Sequence, residues 1–277
     1  MSQMESIPKL LKRYGLKPQK GLGQNFLSDP ASLRKVIDAA DIQPDDTVLE
    51  IGPGLGSLTH LLAESAARVV AVELDRHLVN ALEEILQPYS NVELLRANIL
   101  EVNLNELFSE PGYLVVANIP YYITSALLRQ LLETQHPPVR LVLTIQKEVA
   151  ERICSDAGNL SLLALSVQVY GKPSITATIP AGAFYPAPKV DSAVVRVDIY
   201  PEPLIQREKL DSFFALTKAG FSQKRKTLSN ALSGGMHWEK DITVDLLIKS
   251  GIDPQRRAQT LTLPEWKNLV EKVLEAG

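Results

Sequence analysis

The sequence of 277 residues is poor in the residues that build disulfide and metal frameworks, with one cysteine and four histidines. Cys154 cannot form a disulfide within the chain, and so few cysteines and histidines argue against a zinc cluster. No apolar run approaches the roughly 18 residues of a membrane-spanning helix. Residues 1–21 lack the apolar segment and cleavage site of a secretory signal. We therefore expect a cytoplasmic protein with no metal and no membrane partner.

Acidic and basic residues are nearly balanced, but they are unevenly distributed. The net charge of −3 divides into +4 over residues 1–21, −10 over residues 22–171 and +3 over residues 172–277. Basic ends around an acidic middle are compatible with contacts to nucleic-acid phosphates. A basic tail that only aids solubility would give the same totals, so charge leaves both interpretations open.

The hydrophobic pattern predicts alternating strands and helices in the first two thirds of the chain. A helix is expected at 29–40, and strand-like runs occur at 47–51, 69–74, 92–95, 114–117 and 141–145. Helical patterns lie between these runs, at 57–67, 78–86 and 124–133. Further strand-like runs occur at 165–170, 174–179 and 193–199. Buried strands separated by helices predict a parallel sheet that is covered on both faces.

The segment Tyr200-Pro201-Glu202-Pro203 has the composition of a linker, because two prolines interrupt regular structure. Beyond it the apolar spacing is helical, at 210–219, 226–232, 244–250 and 263–274. We therefore predict an α/β domain over residues 1–203 and a small all-α domain over residues 204–277.

A glycine-rich turn, Glu50-Ile51-Gly52-Pro53-Gly54-Leu55-Gly56, lies between the first predicted strand of the sheet and a helix. Glycines there let a nucleotide-like ligand approach the backbone. Glu73 ends the next strand, 21 residues after Gly52, where a carboxylate can accept both ribose hydroxyls. The spacing G-x-G-x-G differs from the dehydrogenase fingerprint G-x-G-x-x-G. With its preceding acid, it resembles the S-adenosylmethionine site of class I methyltransferases.

A second motif, Asn118-Ile119-Pro120-Tyr121, follows the fourth strand of the sheet. Alone it would be a turn, but behind the glycine-rich turn it resembles the motif of enzymes that methylate exocyclic amines of bases. The Asn118 side-chain oxygen and the Ile119 carbonyl would accept the two hydrogens of an adenine amine. Pro120 would fix the bend, and Tyr121 would offer its ring to the base. Cys154 is not preceded by proline, which disfavours a cysteine-based cytosine mechanism.

These motifs occur in one order with three further segments: 23–27 (GQNFL), 184–192 (FYPAPKVDS) and 221–228 (FSQKRKTL). Together they resemble the ribosomal RNA adenine N6,N6-dimethyltransferase family, in particular its bacterial, KsgA-type branch. The resemblance spans roughly residues 16–274 and implies a Rossmann-like class I methyltransferase sheet with a small C-terminal all-α domain. It also implies S-adenosylmethionine as cofactor and dimethylation of N6 of two adjacent adenines near the 3′ end of small-subunit (16S) rRNA. A role late in assembly of the 30S subunit precursor follows from the same resemblance.

The resemblance assigns roles to individual residues. Contacts with the cofactor are implied for Asn25, Leu27, Gly52, Gly54, Glu73, Asn98 and Asn118. Position 98 departs from the usual aspartate, and an asparagine oxygen accepts hydrogen bonds without the added strength of a charge. Phe184 would stack on the target adenine opposite Tyr121, and its place before a proline-rich loop favours an exposed edge.

Backbone contacts with RNA are expected at the basic residues Lys17, Lys20, Lys189, Lys224, Arg225 and Lys226, although a solvated helix end and tail would have the same composition. Nothing in the sequence indicates an obligate dimer, and we expect a monomer.

Three alternatives remain at this point. The large-subunit rRNA methyltransferases of the macrolide-resistance type share the cofactor and amine motifs, but the segments 184–192 and 221–228 fit the small-subunit branch better. A non-catalytic assembly or transcription factor on the same scaffold would not need an intact segment 118–121. An NAD-dependent dehydrogenase is disfavoured by the glycine spacing.

Overall fold

The computed structural model describes residues 5–223 and 225–276, and the side chains of all of these except Tyr121. Their strands are β1 (Phe26–Leu27), β2 (Thr47–Ile51), β3 (Arg68–Glu73), β4 (Val92–Arg96), β5 (Leu114–Asn118), β6 (Arg140–Gln146), β7 (Gly171–Ile179), β8 (Phe184–Tyr185) and β9 (Ser192–Ile199). Their α-helices are α1 (Ile7–Arg13), α2 (Pro30–Ala40), α3 (Thr59–Ser65), α4 (Arg76–Ile85), α5 (Leu104–Leu107), α6 (Thr124–Glu133), α7 (Lys147–Ile153), α8 (Leu162–Gln168), α9 (Leu210–Phe221), α10 (Leu228–Met236), α11 (Lys240–Lys249) and α12 (Leu263–Ala276).

The chain divides into two compact units. The first runs to Ala150 and resumes over Pro173–Ile199. The second comprises Glu151–Lys172 and the chain from Tyr200 onward.

A seven-stranded sheet forms the centre of the first unit, in the order β4-β3-β2-β5-β6-β9-β7. The five neighbouring strands β4, β3, β2, β5 and β6 are parallel, and β9 is antiparallel to β6. Parallel pairing follows from the helices α3, α4 and α6, which connect successive strands and cover the sheet. The expected parallel α/β sheet is thus confirmed. Because β3 and β5 lie on opposite sides of β2, the strand order reverses beside β2, where open α/β sheets bind ligands.

Helix α2 shows how local sequence fixes an element that covers the sheet. The Asp29 carboxylate caps its start by accepting hydrogen bonds from the Ser32 amide at 2.8 Å and the Ser32 hydroxyl at 2.6 Å. These bonds lower the pKa of Asp29. Pro30 takes the first helical turn, where a missing N–H is tolerated. The helix buries Leu33 and Val36 in the core that also contains β2 and β5 residues.

Helix α1 is an element that the sequence analysis did not predict. Its spacing places Ile7, Leu10 and Leu11 on one face, and all three are buried in a cluster that also contains Leu55 and Leu78. The basic residues of this segment therefore belong to a docked amphipathic helix.

The second unit is helical. Its core contains Trp266 and Phe213, both fully buried, and the Trp266 ring lies so close to Gly220 that an added Cβ there would approach it to 2.7 Å. The strand predicted at residues 165–170 is wrong, because residues 165–168 belong to helix α8 and residues 169–170 form a turn. The Ser161 hydroxyl caps α8 by accepting from the Ala164 amide at 3.1 Å. A short apolar run does not distinguish a buried strand from a buried helix. The helix cap at Ser161 is the local feature that favours the helix here.

In the part of the chain that the structure describes, no helix combines the length and the apolar character needed to cross a membrane.

Candidate active site

An open cleft lies at the carboxyl edge of the parallel strands. Its lining includes six of the seven predicted cofactor residues: Asn25, Gly52, Gly54, Glu73, Asn98 and Asn118. The strand register explains this convergence, since Ile51 pairs with Val72 on one side and with Ala117 on the other. The residues that follow these three therefore stand in one row at the sheet edge.

The glycine-rich turn forms the floor of the cleft. Gly52 and Gly54 have φ values of 71° and 65°, which side chains rarely adopt. The Gly52 amide donates to the Val72 carbonyl at 3.0 Å, which anchors the turn to β3. A Cβ on Gly54 would lie 2.8 Å from the Phe26 ring. Glycine at position 54 is thus required both by its conformation and by the close approach of Phe26.

Glu73 ends β3 at the bottom of the cleft and is 7% exposed. Its two carboxylate oxygens accept hydrogen bonds from the Gly54 amide at 3.2 Å and from the Asp75 amide at 2.9 Å. Burial raises the pKa of Glu73 above its usual range, although the two amide donors oppose that shift. The carboxylate is therefore held in one orientation at the position predicted for a ribose acceptor.

Asn98 follows β4 and lines the same cleft. Its side-chain oxygen accepts from the Leu100 amide at 3.2 Å, and its amide nitrogen donates to Glu101 at 2.8 Å. The side chain thus caps a short 3₁₀ helix. A carbonyl oxygen has two lone pairs, so this capping role leaves one acceptor site on Asn98.

The segment 118–121 bends at the edge of the cleft directly after β5. The Asn118 Nδ2 donates to the Asn25 carbonyl at 2.9 Å. A carbonyl oxygen only accepts hydrogen bonds, so the atom that faces the Asn25 carbonyl must be Asn118 Nδ2. The bond therefore fixes the orientation of the Asn118 side-chain amide, and Oδ1, directed away from Asn25, stays available as an acceptor. The Ile119 side chain is buried and its amide donates to the Thr144 carbonyl at 3.2 Å. The side chain of Tyr121 lies outside the described residues.

Leu27 and Phe184 are paired across the two-stranded sheet of β1 and β8, and both are buried. Leu27 does not line the large cleft but lines a small adjoining pocket together with Gly52 and Asn118. Phe184 is 4% exposed in the hydrophobic core, so the expectation of an exposed edge is wrong. Neighbouring strand residues point to opposite faces, and Tyr185, the next residue, is 41% exposed. Stacking of Phe184 on a base stays a prediction.

The predicted RNA-contacting residues that the structure describes are all exposed: Lys17, Lys20, Lys189, Arg225 and Lys226. Lys224 lies outside the described residues. The first three belong to the first unit and the other two to the second.

Glu50 is a buried acid for which the sequence predicts no role beyond its place in the glycine-rich motif. It is 1% exposed in the middle of β2, and burial, reinforced by the charge of Glu73, raises the pKa of Glu50 to about 8. Its Oε2 and the Ser57 hydroxyl have no hydrogen-bond partner among the described residues. Both residues line the small pocket that adjoins the cleft. The signal in the sequence was an acid inside an otherwise apolar strand, where charges are rarely buried.

In the described part of the chain, no group of three or more His, Cys, Asp or Glu side chains could hold a metal ion. Cys154 is half-buried just after α7, where burial raises the pKa of its thiol to about 11.

The family model described as "Ribosomal RNA adenine dimethylase" matches residues 15–273. The chain belongs to the ribosomal RNA adenine dimethylase family. A relative named "Ribosomal RNA small subunit methyltransferase A" from Dehalococcoides mccartyi is 46% identical over 269 residues, covering 97% of this chain and 92% of that protein. A protein of the same name from Alkaliphilus metalliredigens is 42% identical over 271 residues, covering 95% and 94%.

Two solved structures of similar architecture support the same fold. A dimethyladenosine transferase from Plasmodium falciparum has a TM-score of 0.78 at 26% identity, covering 90% of this chain and 98% of that one. The 23S rRNA methyltransferase ErmE has a TM-score of 0.73 at 28% identity, covering 90% and 99%. The Rossmann-like methyltransferase fold with a C-terminal helical region is therefore confirmed.

Class I rRNA adenine methyltransferases of this family use S-adenosylmethionine as the methyl donor. The cleft fits such a group, because it combines glycines that leave the backbone accessible with a buried, oriented carboxylate at Glu73. Glu50 Oε2, which has no hydrogen-bond partner among the described residues, adds a buried carboxyl whose ionised form a bound cationic amino group would favour.

Proposed function

We propose that this protein dimethylates N6 of two adjacent adenines near the 3′ end of small-subunit (16S) rRNA, with S-adenosylmethionine as methyl donor. The observation that carries the proposal is the orientation of Asn118 at the edge of the cleft, which leaves its Oδ1 as an acceptor beside the Ile119 carbonyl. The names of the curated relatives, which specify the small ribosomal subunit, support it. The large-subunit alternative is not favoured by them.

We assign the cofactor to the large cleft. Glu73 would accept the ribose hydroxyls, and Asn98 would accept the adenine amino group with its remaining lone pair. Gly52 would lie beneath the methionine portion, whose cationic amino group would face the cavity beside Glu50. Asn25 would act through its backbone, because its carbonyl holds Asn118.

The amino group of adenine is a poor nucleophile because its lone pair is delocalised into the ring. Asn118 Oδ1 and the Ile119 carbonyl would accept the two hydrogens of this amine and favour a more tetrahedral nitrogen. When bound, S-adenosylmethionine supplies an electrophilic methyl group on its sulfonium. The chain's own contribution is then to align the amine and to hold its hydrogens, which is catalysis by positioning.

The target base must leave its stack to reach this bend, so the substrate would be a loop or end nucleotide. Stacking between Tyr121 and Phe184 would hold it. Contacts with the RNA backbone would come from the exposed basic residues Lys17, Lys20, Lys189, Arg225 and Lys226, and from Lys224. In this assignment residues 1–203 carry the methyltransferase and residues 204–277 contribute RNA contacts. A monomer that acts on a 30S precursor late in assembly is part of the same proposal.

The test is incubation of the protein with labelled S-adenosylmethionine and ribosomal subunits that lack the modification. We expect label on the small subunit, mapped to N6 of two adjacent adenines near the 3′ end of its RNA. Label on the large subunit would support the macrolide-resistance type instead. Absence of label from both, with RNA binding retained, would support a non-catalytic factor.

A further inference from the structure

The carboxylate of Asp75 has an arrangement that the proposed chemistry does not use. It is 7% exposed directly after β3. One oxygen, Oδ1, accepts from the His77 amide at 3.0 Å and caps helix α4. The other, Oδ2, accepts from two side-chain amides of the N-terminal segment, Gln19 Nε2 at 2.8 Å and Gln24 Nε2 at 2.9 Å. A buried carboxylate thus ties together two glutamines that lie more than fifty residues before it.

The segment between these glutamines is closed on itself. The backbone N–H of Gln19 donates to Gln24 Oε1 at 2.8 Å. The oxygen and the nitrogen of the Gln24 side-chain amide are therefore both hydrogen-bonded. A 3₁₀ turn at Lys20–Leu22 ends at Gly23, whose φ of 65° lets its amide return to the Lys20 carbonyl at 3.0 Å. Residues 19–24 therefore form a compact loop that is attached to Asp75 as a unit.

The chain that leaves this loop crosses the mouth of the cleft. Phe26 packs against Gly54, which follows β2. The Asn25 carbonyl accepts a hydrogen bond from Asn118 Nδ2 at the end of β5. The attachment points thus follow three adjacent strands, β3, β2 and β5. Residues 22–26 all line the cleft, so this crossing segment forms one of its walls.

We propose that Asp75, Gln19 and Gln24 form a latch that positions the wall segment 22–26 and slows release of S-adenosylmethionine. The inference rests on the proposed assignment of the cleft to the cofactor. Asp75 is a positioning residue here, since it acts through Glu73, to which its amide donates, and through the two glutamines. Hydrogen bonds to a charged, buried acceptor are the stronger kind, and losing the donors leaves that charge poorly paired.

The latch has a reciprocal consequence. If the wall segment contacts the cofactor, then bound cofactor must stabilise the latched loop by the same free energy. The Lys20–Gly21 bond lies inside the loop, with the Lys20 side chain exposed, so trypsin reports whether the loop is latched. Cofactor should protect this bond in the wild-type protein, and it should protect it less when the glutamines are replaced.

The experiment compares wild type with the double variant Gln19→Ala/Gln24→Ala and with Gln43→Ala. Gln43 is a matched control, because its Nε2 also donates a hydrogen bond, to the Asp41 carbonyl, on an exposed turn outside the cleft. We expect the dissociation rate of S-adenosylmethionine to rise about tenfold in the double variant and to stay within about twofold in the control. Protection of the Lys20–Gly21 bond by S-adenosylhomocysteine, followed by mass spectrometry, should be lost only in the double variant.

A rise of less than about threefold, or protection equal to that of wild type, would overturn the latch. The single variant Gln19→Ala, which keeps one donor, guards against a folding defect. It should give an intermediate rate and a single cooperative unfolding transition in the absence of cofactor. Glu73→Ala separates the two proposals. Unchanged cofactor affinity in this variant would refute the cleft assignment. Weakened affinity in Glu73→Ala, together with a wild-type dissociation rate in Gln19→Ala/Gln24→Ala, would refute the latch alone.

Discussion

The buried carboxyl of Glu50 leads to a prediction about stability and pH. Its side chain is 1% exposed, and its pKa moves from 4.5 to about 8 in the folded protein. Because the folded state holds this proton more tightly than the unfolded state, the stability that protonation contributes is fully present below pH 4.5 and is lost as pH rises through about 8. At about 1.4 kcal/mol for each pH unit, the ionised carboxyl costs at most about 5 kcal/mol at alkaline pH.

The substitution Glu50→Gln keeps the shape and removes the charge. We expect the variant to match wild type at about pH 5 and to exceed it by several kcal/mol at about pH 9, up to the limit of about 5 kcal/mol. Urea unfolding followed by far-ultraviolet circular dichroism at both pH values measures the difference. Glu83→Gln, an exposed carboxylate on α4, is the control and should show no such pH-dependent gain.

The reasoning would be refuted if Glu50→Gln differed from wild type in stability by the same amount at both pH values. The cost of burying the carboxylate arises only when Glu50 is ionised, so it must depend on pH. The same variant should bind S-adenosylmethionine more weakly, since the proposed partner of its cationic amino group is gone. More stability with less affinity is the usual relation at a functional charge.

Three further variants test the site. Asn118→Ala should reduce methyl transfer by two orders of magnitude or more, measured by label incorporation, while RNA binding in a filter assay stays within about twofold; normal turnover would eliminate the acceptor role. Glu73→Ala should weaken cofactor binding at least about tenfold by calorimetry, and an unaltered affinity would place the ribose elsewhere. Charge reversal at Lys224, Arg225 and Lys226 should weaken RNA binding and flatten its dependence on salt, whereas an unchanged slope would return these residues to an ordinary solvated surface.

The central sheet and the row of residues at its edge were predictable from local patterns. Strand β2 and helix α6 begin and end at the predicted residues, because the spacing of apolar residues along the chain defines both elements locally. Parallel strands share one carboxyl edge, so Gly52, Glu73 and Asn118 could be expected together. The structure brings all three to one cleft.

Features that depend on distant partners were not predictable in this way. Phe184 stands before a proline-rich loop, but its pairing with Leu27, 157 positions earlier, turns its ring into the core. The attachment of Gln19 and Gln24 to Asp75 has no local signature either, since it joins polar residues across more than fifty positions. The missed helix α1 is different, because the helical spacing of Ile7, Leu10 and Leu11 is present in the sequence, although basic residues are interspersed among and after them.

The wall of the cleft is made from the earliest part of the chain, and this has a consequence for synthesis. Asn25 finds its partner 93 residues later, and α1 packs on side chains from the second strand–helix repeat. During translation residue 25 is made before β5, so the hydrogen bond between Asn118 and the Asn25 carbonyl can form only after β5 has been synthesised. A nascent chain therefore completes this wall of the cleft only once the centre of the sheet has been built.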